Sequence, residues 1–295
     1  MPSFENFKPF IVTGLSLGGV YALSGTGVVV LFRATGVLNL AFGAIGAMGA
    51  LISWALINHT GTNQYVAYAA CIGFGAVCTL LYGLTVGRFL AARDALVKAV
   101  GTLGLALILL GFMDWFWPPK SRSMFLPTTN YGYQIGIVHV TWTQIIGLAF
   151  GVAVTIGTGA FLRFTRLGTA MRALAADREI TATLGVPVRR VEAMAWLGSG
   201  VLSGAAGLLL SDLVALDAVT LTFLVISSLA AALIARLSSL TVTLIAGIVI
   251  GLVDALITPI LSISAYRDMT PFVLATIGLL WISRRRVVTV GRAGA

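Results

Sequence analysis

Thr165–Val191 reads TRLGTAMRALAADREITATLGVPVRRV, a densely charged island between two long apolar runs. Its neighbours have the composition of helices in lipid. The island suits water at one face of a membrane, where it can touch another protein. Gly168 is placed to start a short helix running to about Ala176. Asp177 is placed as the N-cap of a second one, because an Asp side chain accepts from the free backbone N–H groups of a first turn. Gly185 is positioned to end that helix, and Pro187 blocks its continuation. Two short helices lying on a membrane face can dock into a groove on a partner; a solvated structural loop is the other reading.

Working outward, the rest of the chain reads as membrane helices. The 295 residues are 58% hydrophobic and 10% charged, with a mean hydropathy of +1.00. A soluble domain would carry roughly a quarter charged residues. The apolar runs predict nine spans: 10–32, 36–58, 65–87, 96–117, 142–162, 192–211, 219–235, 241–262 and 269–283. The seventh is short enough to be broken. The expected fold is all-α, a polytopic membrane protein forming one transmembrane domain over 1–295, with a cytoplasmic loop at 163–191. The 34 glycines suit close helix packing in lipid, as in the pairs Gly14/Gly18, Gly147/Gly151, Gly200/Gly204 and Gly247/Gly251. Cys71 and Cys78 share a helix face, too far apart for a disulfide. The N-terminal MPSFENFKPF lacks the marks of a cleaved signal peptide.

Nine spans put the termini on opposite sides, and basic residues choose the orientation. With the N-terminus outside, fifteen Lys and Arg residues fall in the cytoplasm, and only Lys8, Lys120, Arg122 and Arg267 fall outside. The net charge of +9 is therefore spread at span ends by membrane topology and does not indicate nucleic acid. The longest outer loop, about Pro118–Thr141, is either a solvated linker or a docking surface for an external partner.

Few polar groups lie inside spans. The second span carries Asn39, Gly43, Gly46 and Gly49 at three- and four-residue spacing. That face is nearly bare backbone, able to line a passage or to receive another helix. Asp254 is a carboxylate inside a span. Such a group usually faces a cavity or a polar partner; sequence does not name the partner, and Arg236 is not an obvious match. The chain has no GxxxxGK[ST] for ATP phosphates. His59 and His139 have no metal-ligand spacing around them, and no nucleophile–base arrangement presents itself. No catalytic residue, metal or cofactor is expected. Proton-coupled carriers tend to hold several ionisable groups in their spans, so a transporter of this composition draws its energy from elsewhere.

The island resembles the cytoplasmic loop of permease subunits of branched-chain amino-acid ABC importers, the LivH type. The matching positions are Thr165, Arg166, Gly168, Ala170, Arg172, Ala173, Ala175, Asp177, Ala182, Gly185 and Val191. Gly14–Leu23 matches the family's opening Gly-Leu-x-Leu-Gly-x-x-Tyr-Ala-Leu, and Gly200, Gly204, Gly207, Leu208 and Leu209 fit as well. The resemblance implies a subunit of an ATP-driven importer in the bacterial inner membrane. Its partners would be a second, similar permease, two cytoplasmic ATPases and an external or periplasmic binding protein. Arg166, Gly168, Ala170, Arg172, Ala173, Ala176, Asp177 and Gly185 would form the ATPase-coupling element; Asn39, Phe42, Gly43, Gly46 and Asp254 are candidates for the translocation path. Two departures leave the cargo open among branched-chain amino acids, related amides, urea and organic acids. The family's Asn-Phe-Ala-His-Gly has Leu40 and Phe42 in place of its Phe and His, and its Gly-Gly-x-Gly-Ser is Ala235-Arg236-Leu237-Ser238-Ser239. The alternative is a secondary carrier or channel acting alone.

Overall fold

Every residue from Ser16 to Leu31 is buried, and the rest of the chain is arranged around them. They belong to helix α1 (Lys8–Thr35) of the computed structural model, which describes residues 7–91, 93–117, 122–124, 126–135, 138–260 and 264–290. A helix apolar on all sides belongs at the centre of a bundle. α1 packs on α6 (Trp142–Phe164), α9 (Val188–Leu213), α11 (Val225–Ile234) and α12 (Leu240–Ile257). Glycines set the spacing on two of these sides. A methyl group on Gly18 would lie 2.6 Å from the Ile248 Cα, and one on Gly19 would lie 2.5 Å from the Leu148 Cα. Backbones this close exchange dispersion contacts that lipid cannot supply as well.

A second group joins α2 (Phe42–Thr60) and α3 (Gln64–Tyr82) to α9. Gly204 lies against Cys71 and Ile72, and the Cys71 thiol donates to the Gly204 carbonyl at 3.4 Å. Both cysteines are free. α3 runs through a π turn at Gly83–Gly87 into the short α4 (Arg88–Leu90), with Gly83 lying under the Trp196 ring. α5 (Ala95–Phe116) and α6 lie at the edge and expose apolar side chains such as Leu107, Ile108 and Ile156. The loop between α5 and α6, expected on the outer side, contains a 3-10 turn at Pro127–Asn130 and an antiparallel hairpin, β1 (Gly132–Ile135) with β2 (Val138–Thr141).

The fold is an all-α, multi-pass membrane protein. Among the described residues, seven helices are long and apolar enough to cross a bilayer. The expected seventh span is broken at Leu224 into α10 (Ala218–Phe223) and α11. The pair covers 218–234, about 25 Å at 1.5 Å per residue, less than the roughly 30 Å of hydrocarbon. The expected ninth span lies in α13 (Thr270–Val290), whose apolar part is Thr270–Trp281. The second span starts later than expected. Gly36, at φ +68°, closes α1, and residues 37–41 cross to α2 without helix. Thr102 of α5 satisfies that irregular backbone, accepting from Leu40 N–H and donating to the Leu38 carbonyl. Asn39 is therefore beside the helix and not on its face. The expectations on Pro118, Pro119, Lys120, Arg292 and the chain before Phe7 lie outside the described residues.

Candidate functional site

The charged island folds as two helices, α7 (Arg166–Ala176) and α8 (Arg178–Thr183). Thr165, and not Gly168, caps the first, accepting from the Gly168 N–H at 3.0 Å, so the helix starts two residues before the expected position. Gly168 is needed for another reason: a methyl there would lie 2.5 Å from the Leu162 Cα at the end of α6. Asp177 caps α8 through Ile180 N–H at 2.9 Å, and Gly185, at φ +81°, turns the chain toward Pro187 and α9. Gly168, Met171 and Leu174 recur every three residues and form the buried face of α7, toward α1, α6 and α9. Of the other residues expected to couple, Ala170 and Ala173 are half-buried, and Arg166, Arg172, Ala176, Asp177 and Gly185 are exposed. Sequence reasoning missed the apolar part of this surface: Phe164, Ile180 and Leu184 are exposed, Leu184 to 76%. Large apolar groups at a charged membrane surface were the signal available.

The residues considered for the path fall in two places. Phe42, Gly43 and Gly46 sit at a closed seam between α2, α9 and α10, and Asn39 lies in the non-helical link before it. Ser203 donates to the Phe42 carbonyl at 2.6 Å, the Phe42 ring rests on Gly27, and Gly43 abuts the Thr222 carbonyl. A methyl on Gly46 would lie 2.7 Å from the Ser203 carbonyl. The cavity at this seam is about 10 Å³, room for one water at most. Asn39 is buried, and its Oδ1 accepts from Ala41 N–H.

Asp254 lies on the other side of α10 and α11, one turn before the end of α12 and so nearer a membrane face than a mid-span position. Its partner is Arg267, in the 3-10 turn Ser264–Met269 that leads into α13. The guanidinium meets the carboxylate at both oxygens, Nε to Oδ1 at 2.9 Å and Nη2 to Oδ2 at 3.0 Å. Tyr21 of α1 reaches Oδ2 with its hydroxyl at 3.4 Å. This bidentate pairing gives the buried carboxyl group two hydrogen bonds in a fixed geometry. The pair lines a cavity of about 400 Å³ whose other walls are mostly apolar, among them Val219, Phe223, Leu224 and Phe272. Arg267 was legible only as a lone cation between two apolar runs, thirteen residues after Asp254. Asp212 was also missed. It accepts from Thr129 Oγ1 at 2.7 Å and from Leu126 N–H at 2.9 Å, and so ties the loop between α5 and α6 to the end of α9. Among the described residues no group of His, Cys, Asp and Glu is arranged to hold a metal ion.

The chain is similar to known transport proteins over almost its whole length. It is 24% identical over 294 residues to the high-affinity branched-chain amino acid transport system permease protein LivH of Escherichia coli, covering 94% of each chain. It is 23% identical over 301 residues to the permease protein BraD of Pseudomonas aeruginosa, covering 95% of each. With the probable branched-chain amino acid transport permease protein LivH of Methanocaldococcus jannaschii it shares 26% identity over 258 residues, 85% of this chain and 81% of that one. The family described as branched-chain amino acid transport system / permease component matches residues 10–280. Because that match runs from within α1 to within α13, the chain belongs to the family of branched-chain amino acid transport system permease components.

Proposed function

We propose that this permease is the membrane subunit of an ATP-driven importer in a bacterial inner membrane, with its N-terminus outside and its C-terminus in the cytoplasm. It pairs with a second, similar permease. Two cytoplasmic ATPases drive the pair, and an external binding protein delivers the cargo. The observation that carries this reading is the α7–α8 loop: one face is anchored on α1, α6 and α9, while Phe164, Ile180 and Leu184 are left exposed beside charged residues. An anchored, exposed apolar patch transmits force only if another protein covers it. Arg166, Gly168, Ala170, Arg172, Ala173, Ala176, Asp177 and Gly185 form the frame that presents it. ATP-driven closure of the ATPases shifts this loop, and the helices behind it alternate access to the path. The protein itself breaks no bond in its cargo.

The cavity at Asp254 and Arg267 is the outer part of that path, and the seam of Phe42, Gly43 and Gly46, with Asn39 in the link before it, is the constriction beside it. One carboxylate, one guanidinium and otherwise apolar walls fit a small solute carrying both charges on a short apolar body. Branched-chain amino acids, which the relatives' names specify, have that chemistry. The test is co-purification and uptake. Ile180→Glu with Leu184→Glu is expected to leave the permease folded in the membrane while the ATPases no longer co-purify and leucine uptake is lost. Normal association with that variant, or leucine uptake by the permease alone without ATP, sinks the reading.

A further inference from the structure

The geometry points to a binding site for a phosphate-bearing anion, supplied by an anionic phospholipid headgroup, at the end of the bundle that carries the α7–α8 loop. A cavity of about 580 Å³ there is lined by five cations, Arg33, Lys98, Arg172, Arg178 and Arg236, and, among the described residues, by no carboxylate. They come from separate parts of the chain: the last turn of α1, the start of α5, the loop helices, and the turn between α11 and α12. Membrane topology puts basic residues at this end of the bundle, but it does not gather five of them around one space. Arg178 is paired with Glu192 at 3.0 Å. Lys98 reaches in beside Gly36, where a methyl would lie 3.8 Å from its Nζ.

The turn that brings Arg236 to the wall is strained. Arg236 and Leu237 have φ +52° and +53°, the left-handed region that glycine enters without cost. Hydrogen bonds from Arg236 N–H to the Leu233 carbonyl and from Leu237 N–H to the Ala232 carbonyl, both 2.8 Å, hold the conformation. Non-glycine residues kept in that region tend to mark ligand clamps.

The cations and apolar walls define the ligand. Phosphate oxygens accept from several guanidinium and ammonium groups at once. Phe32, Leu174 and Leu237 add apolar lining, which suits a headgroup joined to acyl chains. Lys98 lies on α5, in which only Thr102, Ala106 and Met113 are buried, so the cavity adjoins an exposed helix at the edge of the bundle. Basic pockets between membrane helices hold anionic headgroups in this manner. The site does not depend on what the transporter carries.

Native mass spectrometry of the delipidated, detergent-solubilised full chain tests it, with short-chain phosphatidylglycerol, phosphatidylcholine and inorganic phosphate as probes. Phosphatidylglycerol should be retained over phosphatidylcholine, and Lys98→Gln with Arg236→Gln should lower that retention roughly tenfold or more. The melting temperature without lipid should be unchanged; if the double variant does not fold, Lys98→Gln alone is read, with a smaller loss. Arg189→Gln with Arg190→Gln, both exposed and outside the cavity, should retain the lipid like the parent. Phosphatidylglycerol resisting competition by millimolar inorganic phosphate identifies the lipid as the source. Displacement by inorganic phosphate identifies a free phosphate compound and keeps the site. Equal retention of both lipids, or equal loss in the Arg189/Arg190 control, overturns the proposal. So does unchanged retention in the cavity variants together with lost ATPase co-purification, which would give the cavity to an acidic surface of that partner.

Discussion

Asp254 and Arg267 form a partly buried ion pair on which much of the local electrostatics rests. The Asp254 side chain is 7% exposed and Arg267 is 34% exposed, so the carboxylate depends on the guanidinium more than the reverse. Removing one member of a buried pair strands the other charge; with Arg267 partly wet, the cost is set at about 1–3 kcal/mol, below the range for fully buried pairs. Arg267→Gln is expected to lower thermal stability by that amount and to abolish cargo uptake. The double variant Asp254→Asn with Arg267→Gln leaves no stranded charge, so stability should return while uptake stays lost. Unaltered stability of the single variant would mean that the pair does not form. A second residue of this kind is Gly185, whose φ of +81° penalises any side chain although no atom lies within 4 Å. Gly185→Ala should cost about 1–2 kcal/mol through backbone strain alone. Circular dichroism melts would read this change, and an unchanged melt would show that the turn adopts another conformation.

Helix seams decide stability at the next scale. Gly14 and Gly18 of α1 face Gly247 and Gly251 of α12, and Gly147 and Gly151 of α6 close on α1 from another side. Gly157, also in α6, has nothing within 4 Å of a built methyl. The same residue type in the same kind of helix therefore predicts opposite outcomes. Gly251→Val should destabilise by about 1–3 kcal/mol, since the added carbons meet backbone that cannot move aside. Gly157→Val should leave the melting temperature within error, and equal effects from the two would refute the seam. Gly46→Leu belongs with Gly251→Val. Against the Ser203 carbonyl it should lower stability as well as uptake, and lost uptake at full stability would instead mark an open passage at that face.

For the whole molecule, orientation is the property on which the proposed machine depends. With the N-terminus outside, the Asp254 cavity and the hairpin would face the proposed binding protein, and the α7–α8 loop would face the proposed ATPases. Cysteine introduced at Ser123 should react with an impermeant maleimide applied to intact cells, whereas one at Arg292 should react only after permeabilisation. Cys71 is buried and Cys78 half-buried, so both are replaced by Ala beforehand to clear the background. Labelling of the Arg292 site from outside would reverse the orientation and remove the coupling role of the loop.

Sequence alone determined what local chemistry controls. Hydropathy fixed an all-helical membrane class, because lipid admits only backbones that satisfy their own hydrogen bonds. Asp177 and Gly185 announced the ends of α8, because a cap and a left-handed turn act within a few residues. The Thr165 cap was missed because Gly168 looked like a helix start, when its task is to let α6 come close. Span seven was legible as short, but its break at Leu224 depends on what α10 and α11 pack against. The tertiary structure alone decided the pairings between distant segments: Tyr21 on Asp254, α9 on the glycine face of α2, and five cations from separate elements around one cavity. Those contacts arise only when helices far apart in sequence are pressed together, and periodicity along a single helix carries no record of which neighbour it meets.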